Sequence, residues 1–359
     1  MNIAFVLGTR PEIIKMSPVI RACVKERKRF FILHTNQHYS KELDNIFFKD
    51  LELPSPKYNL RVGSGTHAEE IGKMMIGIEG ILKKEKPSIV LAEGDTNTVL
   101  AAGIVASRLH IPLGHVEAGL RSYFREMPEE INRILTDHCS DFLFAPTAKA
   151  KSILIGEGIP KRKIFVTGNT IVDAVKQNMN LAGKKSDIFN LLNLEKNKYF
   201  FVTAHREENV DNKSRLSSIF KGLSAVGKKY KIPVVYPMHP RTKKRLDAFN
   251  LKVPDEVTVV NPVGYFDCLK LMVNARLVLT DSGGIQEETC VLKVPCVTLR
   301  NNTERPETIM VGSNILAGVN PVKIRSAVGS MLKSKKNWKN PFGDGKAGER
   351  IISIISKRV

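Results

Sequence analysis

Four side chains able to exchange protons occupy positions that a binding site would use. These residues are Asp95, Glu117, Glu129 and His205. Three of them follow apolar runs of strand character, and Glu129 opens a predicted helix. Carboxylates can act as general bases or acids, and an imidazole can move a proton near neutral pH. This set therefore favours proton transfer on a bound small molecule.

Three of these four side chains also have a structural interpretation. Asp95 could cap the helix that follows it. Glu129 lies in the first turn of its predicted helix, where the helix dipole favours an acid. His205 could be an ordinary structural histidine. Glu117 differs because it ends a predicted strand beside Gly119, which directs its carboxylate toward a cleft rather than into bulk solvent.

Residues 277–288, LVLTDSGGIQEE, form a predicted junction of strand and helix that is typical of a phosphate site. Free backbone N–H groups and the helix dipole favour an anion at such a junction. The candidate anion-binding residues are Ser282, Gly283 and Gly284. The alternative is a structural helix capped by Asp281 or Ser282. Glu288 lies one turn further in, where its carboxylate would favour ribose hydroxyls over phosphate.

Two cations, Arg10 and Lys15, follow the first predicted strand in the segment GTRPEIIK, residues 8–15. Arginine offers forked hydrogen bonds and lysine a point charge, so the pair could neutralise a diphosphate. The alternative is an exposed pair beside a helix that starts with proline. Together with the acids and the helix start, the two cations outline a nucleoside diphosphate sugar as the ligand.

Other ligand classes lose support. The chain has neither a GxxxxGK[ST] motif nor a G-x-G-x-x-G after its first strand, and it shows no cluster of metal-ligand spacing. We therefore expect neither a metal nor a cofactor. The net charge of +20 invites a nucleic-acid interpretation, but the basic residues form short clusters without interleaved aromatic residues. No nucleic-acid partner is expected.

The chain shows no leader-like N-terminus and no apolar run long enough to cross a bilayer. Its five cysteines are scattered without paired spacing, which is typical of small core residues. These features predict a cytoplasmic protein without a membrane partner. We expect a homodimer.

Strand and helix patterns alternate along the whole chain, with strand candidates such as residues 2–7, 234–237, 257–260 and 277–280. This alternation predicts an α/β fold of two Rossmann-like, doubly wound domains that face each other across a cleft. We place the domains at residues 1–170 and 171–344, with a linker in the polar stretch 183–198. A final helix, 345–357, is expected to rejoin the first domain.

Several of these motifs together resemble one family, the non-hydrolysing UDP-N-acetylglucosamine 2-epimerases. The resemblance runs from Gly8 to about Gly318, and the order and spacing of its motifs make it far more specific than any single motif. The segments that carry it are GTRPEIIK, EGDTNT, HVEAGLR with PEEINR, TAHREEN, TDSGGIQEE and TERPE. Residues 11–13, PEI, favour this branch over the hydrolysing and diacetamido-uronate epimerases.

The resemblance implies a glycosyltransferase-B-like fold and the interconversion of UDP-N-acetylglucosamine and UDP-N-acetylmannosamine by elimination and re-addition of UDP. The positions that match the family's catalytic residues are Asp95, Glu117, Glu129 and His205. The positions that match its nucleotide-binding residues are Arg10, Lys15, Ser282, Gly283, Gly284, Glu288 and Arg305. The alternatives are a glycosyltransferase of the same architecture and an epimerase of a related UDP-diacetamido sugar.

The chain departs from the family at two places. Cys268 stands where an aromatic residue often lies near uracil, with Tyr265 and Phe266 close by. Many bacterial members bind a second UDP-sugar through residues around the segment that matches Gln37 and His38. Tyr39 and Glu207 stand where such members commonly carry arginine.

Overall fold

The computed structural model describes residues 1–36, 47–63 and 65–359. The chain divides into two compact units. Unit 1 comprises residues 1–176 and 342–359, and unit 2 comprises residues 177–341. Each unit contains its own parallel sheet, so each forms its own α/β core.

Unit 1 contains a seven-stranded sheet in the order β3-β2-β1-β4-β5-β6-β7, and the strand pairs are parallel. Its strands are β1 (Asn2–Leu7), β2 (Arg29–His34), β3 (Tyr58–Asn59), β4 (Ile89–Glu93), β5 (Leu113–Val116), β6 (Phe142–Ala145) and β7 (Ile164–Val166). The strand order reverses between β1 and β4, whose register pairs Ile3 with Ile89. Ligands of open parallel sheets bind beyond the carboxyl ends of the strands at such a switch point.

The helices between these strands are α1 (Arg10–Lys25), α2 (His67–Glu85), α3 (Asn97–Arg108), α4 (Pro128–Cys139), α5 (Ala148–Gly156) and α6 (Thr170–Lys185). A 3-10 turn covers Lys161–Lys163, and residues 47–50 are also helical. Helix α2 begins with a capping box, in which Thr66 accepts from the N–H of Glu69 and the Glu69 side chain accepts from the N–H of Thr66. Such caps fix where a helix begins and therefore which loop residues precede it.

Unit 2 contains a six-stranded parallel sheet in the order β10-β9-β8-β11-β12-β13. Its strands are β8 (Phe200–Thr203), β9 (Val234–Pro237), β10 (Val257–Val260), β11 (Leu277–Thr280), β12 (Cys296–Thr298) and β13 (Asn314–Leu316). Here the order reverses between β8 and β11, and Thr203 lies beside Thr280 at their carboxyl ends. The switch point of unit 2 is therefore flanked by the loops after these two strands.

The helices of unit 2 are α7 (Ile188–Leu191), α8 (Glu207–Val210), α9 (Lys213–Tyr230), α10 (Pro240–Phe249), α11 (Tyr265–Asn274), α12 (Gly283–Leu292), α13 (Pro306–Met310) and α14 (Pro321–Lys333). The last helix of the chain, α15 (Ala347–Arg358), belongs to unit 1 and packs on α1. Gly348 makes this packing close, because a Cβ at that position would lie 2.8 Å from the backbone of Pro18.

The predicted strands at residues 2–7, 234–237, 257–260 and 277–280 are confirmed with the same bounds. The strands at 2–7, 234–237 and 277–280 are mostly buried apolar runs, which is how a strand covered by helices on both faces reads in sequence, whereas the edge strand at 257–260 is partly exposed. The predicted linker at 183–198 was wrong in part. It contains the end of α6 and the short helix α7, whose Ile188 is buried.

Trp338 is the single tryptophan of the chain and lies buried in unit 2. Its indole Nε1 donates to the carbonyl of Cys290, near the end of α12, at 2.9 Å. The side chain of Lys293 lies over the indole ring, 5.6 Å from its centroid. Trp338 therefore satisfies a carbonyl near the C-terminus of α12. Among the described residues, no helix is both long and apolar enough to cross a membrane.

Candidate active site

The predicted site residues lie in both units, at or near the two switch points. Those in unit 1 are Arg10, Lys15, Asp95, Glu117 and Glu129. Those in unit 2 are His205, Ser282, Gly283, Gly284, Glu288 and Arg305. Gln37, His38 and Tyr39 lie outside the described residues.

Within unit 1, the turn after β1 leads directly into α1 and is held by Glu12. The carboxylate of Glu12 accepts from the N–H of Gly8 at 2.7 Å and from the hydroxyl of Thr9 at 2.9 Å. Burial raises the pKa of Glu12 to about 7. Gly8 has no room for a side chain, because a Cβ would lie 2.0 Å from the hydroxyl oxygen of Thr98. This packing leaves Arg10 exposed at the start of α1, where its guanidinium lies 5.8 Å from the ring centroid of Phe47.

Lys15 and Glu117, predicted separately, form a buried ion pair. The ammonium of Lys15 lies 2.7 and 2.6 Å from the two carboxylate oxygens of Glu117, and 3.3 Å from Glu93. The three side chains are at most 10% exposed. One cation therefore faces two carboxyl groups. Burial raises the pKa of Glu93 and nearby Glu117 adds to that effect, while Lys15 opposes it.

The backbone at Glu117 is in the left-handed region, with φ of 70°. Residues other than glycine adopt this conformation at a cost, and functional sites are where such strain is most often retained. The turn is closed by Gly119, with φ of 84°, where a Cβ would lie 2.6 Å from the carbonyl oxygen of Ala150. The strain turns the chain sharply after β5 and brings the Glu117 carboxylate back to α1.

A buried network of hydrogen bonds also fixes the turn that contains Glu117 and Gly119. The imidazole of His115 contacts Asp137 at 2.7 Å and the carbonyl of Gly94 at 2.8 Å. Asp137 also accepts from the N–H of Gly119 at 3.2 Å and from Arg121 at 2.7 Å. The loops after β4 and β5 are thus joined through one histidine and one carboxylate, which sequence reasoning did not single out.

Asp95 makes an ion pair and is not the cap of the next helix. Its carboxylate contacts the guanidinium of Arg133 at 2.6 and 3.0 Å and is about 30% exposed. The N-cap of α3 is Thr96, which accepts from the N–H of Val99. The capping interpretation of Asp95 was therefore wrong, because the neighbouring threonine already fills that position.

Glu129 and Glu130 have different environments in the first turn of α4. Glu130 is buried, accepts from the backbone N–H groups of Ser122 and Tyr123, and pairs with Arg133 at 2.5 Å. Glu129 is only partly buried. Glu130 therefore makes these structural contacts of the turn. The partly exposed Glu129 stays a candidate for the catalytic role predicted from the sequence.

In unit 2, Asp281 anchors the neighbouring loop instead of capping α12. Its buried carboxylate accepts from the backbone N–H groups of His205 and Arg206, each at 3.0 Å, and from the side chain of Asn209 at 3.0 Å. Ser282 occupies the N-cap position of α12, and its side chain makes no capping hydrogen bond with any described residue. The predicted capping by Asp281 and Ser282 was thus wrong. The first turn of α12 keeps its backbone donors uncapped by these side chains, as an anion site requires.

Arg305 lies next to the start of α12. A Cβ on Gly283 would lie 3.9 Å from the guanidinium carbon of Arg305, and Arg305 pairs with the buried Glu287 at 2.6 Å. The helix start, the missing side chain at Gly283 and the adjacent guanidinium favour an anion at this place; the Glu304 carboxylate, 3.6 Å from the same Cβ position, opposes it but is paired with Arg300 at 3.0 Å. Two of the predicted binding residues of unit 2, Gly283 and Arg305, are therefore brought together.

Glu288 is held one turn further along α12, on the side of Tyr265. The hydroxyl of Tyr265 donates to the Glu288 carboxylate at 3.0 Å. Burial, with the nearby Glu288 charge, raises the pKa of Tyr265 well above its ordinary value. Cys268 lies close by, and burial raises the pKa of its thiol as well. Tyr265 thus orients the carboxylate predicted to bind a ribose.

His205 presents its side chain to solvent at the switch point of unit 2. The imidazole is about half exposed, and its Nδ1 lies 3.8 Å from Asp281. Its ring centroid is 6.4 Å from that of His239. Glu207, two residues after His205, pairs with Arg241 at 2.6 Å on the surface. Among the described residues, no group of three or more histidine, cysteine, aspartate or glutamate side chains could hold a metal ion.

Comparison with known proteins decides the family. The family model described as UDP-N-acetylglucosamine 2-epimerase matches residues 21–356. A UDP-N-acetylglucosamine 2-epimerase of Methanocaldococcus jannaschii is 56% identical to this chain, over 99% of each. The chain belongs to the UDP-N-acetylglucosamine 2-epimerase family.

A solved structure and a second relative are also similar to this chain over almost its whole length. The crystal structure of the Methanocaldococcus jannaschii UDP-GlcNAc 2-epimerase in complex with UDP-GlcNAc and UDP gives a TM-score of 0.93 at 56% identity, covering 99% of this chain and all of that one. A UDP-2,3-diacetamido-2,3-dideoxy-D-glucuronate 2-epimerase of Pseudomonas aeruginosa is 39% identical over 99% of this chain and 100% of its own length. The predicted family and the glycosyltransferase-B-like fold class are confirmed.

Proposed function

We propose that this epimerase interconverts UDP-N-acetylglucosamine and UDP-N-acetylmannosamine by inverting C2 of the sugar. The observation that supports this proposal is which side chains and backbone groups lie at the two switch points. In unit 1, Glu117 is buried beside Lys15, with Asp95 on the neighbouring loop. In unit 2, the open start of α12 lies beside Arg305. Acids for a sugar and an anion site for a diphosphate are the groups that this reaction needs.

The stereochemistry of the reaction explains why more than one acid is useful. In the α-linked gluco sugar, the C2 hydrogen and the UDP oxygen on C1 are trans-diaxial. A base can therefore take the C2 proton while the C1–O bond breaks, which leaves a C1–C2 double bond and free UDP. For the manno product, UDP adds back to C1 while C2 receives a proton on the opposite face. One fixed carboxylate can hardly serve both faces.

The proton-transfer roles fall to the acids of unit 1. Two of the three side chains Asp95, Glu117 and Glu129 are proposed to flank C2, one as base and one as acid. The Lys15 ammonium contacts both carboxylate oxygens of the buried Glu117 and so compensates part of the hydration lost on burial. The Arg133 guanidinium holds the Asp95 carboxylate at 2.6 and 3.0 Å. Both acids are thus held in defined positions by a cation.

The binding roles fall mainly to unit 2. The backbone donors of Ser282, Gly283 and Gly284, together with Arg305, are proposed to stabilise UDP while it is detached from the sugar. Glu288, oriented by Tyr265, is proposed to accept from the ribose hydroxyls. His205 and Arg10, both exposed at switch-point turns, are proposed to add charge or protons at the diphosphate.

Proton NMR of the pure protein with UDP-N-acetylglucosamine tests the reaction. In heavy water, both epimers should gain deuterium at C2 as the manno form accumulates, because the abstracted proton exchanges with solvent. Epimerisation with full retention of the substrate hydrogen would reject the elimination route. Release of UDP with transfer of the sugar to an acceptor would instead identify a glycosyltransferase. A parallel sample with the UDP-diacetamido uronate tests the alternative suggested by the Pseudomonas aeruginosa relative.

The proposed location is the cytoplasm, and the proposed assembly is a homodimer. Support for the location comes from the five cysteines, which are all free thiols, as is usual in a reducing compartment. Light scattering on the purified chain tests the assembly, since a mass of one 40.1 kDa chain would reject the dimer.

A further inference from the structure

Asn169 connects Glu117 to the place where the chain passes between the two units. It lies between β7 and α6 and is buried. Its side-chain amide donates to the Glu117 carboxylate at 3.1 Å, and its side-chain oxygen accepts from the N–H of Ile171 at 3.0 Å. One side chain therefore orients the carboxylate and also satisfies a backbone donor in the first turn of α6.

The backbone of Asn169 is tied to the returning chain as well. Its N–H donates to the carbonyl of Phe342 at 2.8 Å, and Phe342 is the first residue of unit 1 after the chain leaves unit 2. The preceding Gly168 has φ of 87°, and a Cβ there would lie 3.2 Å from the same carbonyl oxygen. Helix α6, which begins at Thr170, is the segment in which the chain enters unit 2. Asn169 thus precedes the helix through which the chain leaves unit 1 and is bonded to the first residue after its return.

We propose that Asn169 is a positioning residue, which holds the Glu117 carboxylate in one orientation and links it to both chain passages. The groups that face Glu117 include Lys15 on α1, Glu93 at the end of β4, and Asn169. A lysine supplies charge but little direction, since its ammonium donors rotate freely. The planar side-chain amide of Asn169, whose oxygen is held by the N–H of Ile171, supplies the direction, while the backbone N–H of Asn169 is held by the carbonyl of Phe342. This role rests on the proposed function, in which Glu117 exchanges a proton with C2.

The test compares three single variants. In Asn169→Asp and Asn169→Ser an oxygen remains that can accept from the N–H of Ile171, so the start of α6 keeps its cap. The first replaces the donor by a like charge beside Glu117, and the second is too short to reach it. The matched control is Asn320→Asp, because Asn320 accepts from the N–H groups of Val322 and Lys323 at the exposed start of α14.

The expected loss is in kcat, with KM changed little. Asn169→Asp should lower kcat by about 100-fold and Asn169→Ser by about 10-fold, since small misplacements of a reacting group have effects of this size. The acid limb of the kcat profile should move to higher pH in Asn169→Asp, because a second carboxylate opposes ionisation of Glu117. Asn320→Asp should match the wild type within about 2-fold, as is usual for surface substitutions.

Two further comparisons separate positioning from a merely structural effect. Asn169→Asp should cause no additional loss of C2 deuterium exchange in a Glu117→Gln background, whereas a structural role would reduce the two rates independently. Failure of the wild type to exchange C2 deuterium would reject the proposed function itself. Normal wild-type exchange with equal behaviour of Asn169→Asp and Asn320→Asp would reject only the role of Asn169. If Asn169→Asp does not fold, Asn169→Ser takes its place, and a wild-type kcat in that variant would reject the role of Asn169.

Discussion

The two switch points of this epimerase are built by different means. In unit 1 the loops are held by buried charged side chains, with Lys15 between Glu93 and Glu117. In unit 2 a single buried carboxylate, Asp281, collects backbone N–H groups of the adjacent loop. The first arrangement places a cation between carboxylates, one of which is proposed to exchange a proton, and the second leaves a helix start open to an anion. The difference suggests that unit 1 performs the chemistry and unit 2 binds the nucleotide.

The largest expected effect that tests this division comes from Glu117→Gln. It should lower kcat by about 10³-fold, within the range that general acid–base groups contribute. UDP binding, measured by calorimetry, should change little, because Glu117 is not among the groups proposed to bind the diphosphate. Glu79→Gln, an exposed change on α2, serves as the control. A Glu117→Gln variant with near-normal turnover but weak UDP binding would reverse the assignment of the two units.

The buried Glu12 of unit 1 should also make the free energy of unfolding depend on pH. The pKa of Glu12 is raised from 4.5 to about 7, so the folded chain keeps a proton that the unfolded chain releases between these values. Stability from this group is therefore full below pH 4.5 and is lost as the pH rises toward 7. The total loss is roughly 3 kcal/mol.

Glu12→Gln should remove this loss of stability between pH 4.5 and 7, because the amide stays neutral. Urea unfolding followed by circular dichroism at several pH values between 4.5 and 7.5 measures it. Equal pH slopes in the wild type and Glu12→Gln would show that Glu12 carries no retained proton. Glu79→Gln again provides the control, since this exposed glutamate is far from the turn after β1 in sequence.

A substitution in unit 2 should affect binding rather than turnover. Arg305→Met is expected to weaken UDP binding by about 10-fold to 100-fold, the usual worth of a hydrogen bond to a charged group. It also leaves Glu287 without its guanidinium, so Arg305→Met with Glu287→Gln should recover thermal stability but not UDP affinity. Arg241→Met, on the surface of unit 2, is the matched control. Loss of kcat at unchanged UDP affinity would contradict the division.

The smallest expected effect sharpens the role of Glu288. Tyr265→Phe removes one hydroxyl that donates to Glu288 and should weaken UDP binding by about 5-fold, the effect of one ordinary hydrogen bond. The same substitution should leave the affinity for UDP and for 2′-deoxy-UDP more nearly equal if Glu288 accepts from the ribose. An unchanged preference between the two nucleotides would separate Glu288 from the ribose.

Much of the fold was readable in the sequence, because long apolar runs and the turns after them carry the signal. Strands β9, β10 and β11 are examples. The strands β3, β6, β7 and β13 were not predicted, since runs of two to four residues carry little periodic signal.

The site was predictable residue by residue but not in its pairings. Position after a strand pointed to Glu117, and the GTRPEIIK segment pointed to Lys15. That the two share an ion pair depends on the turn at φ of 70°, which no local pattern announces. Asp281 was assigned to its own helix because capping is a local rule, whereas its partners lie about 75 residues earlier. Long-range hydrogen bonds of this kind need the folded chain.

The single tryptophan gives unit 2 an optical signal of its own. Because Trp338 is buried in unit 2 and bonded to the end of α12, its fluorescence reports the integrity of that unit and of the helix whose start is the candidate anion site. Unit 1 contains no tryptophan at all. A denaturation followed by emission and by circular dichroism can therefore assign each loss of structure to one half of the chain, without any label.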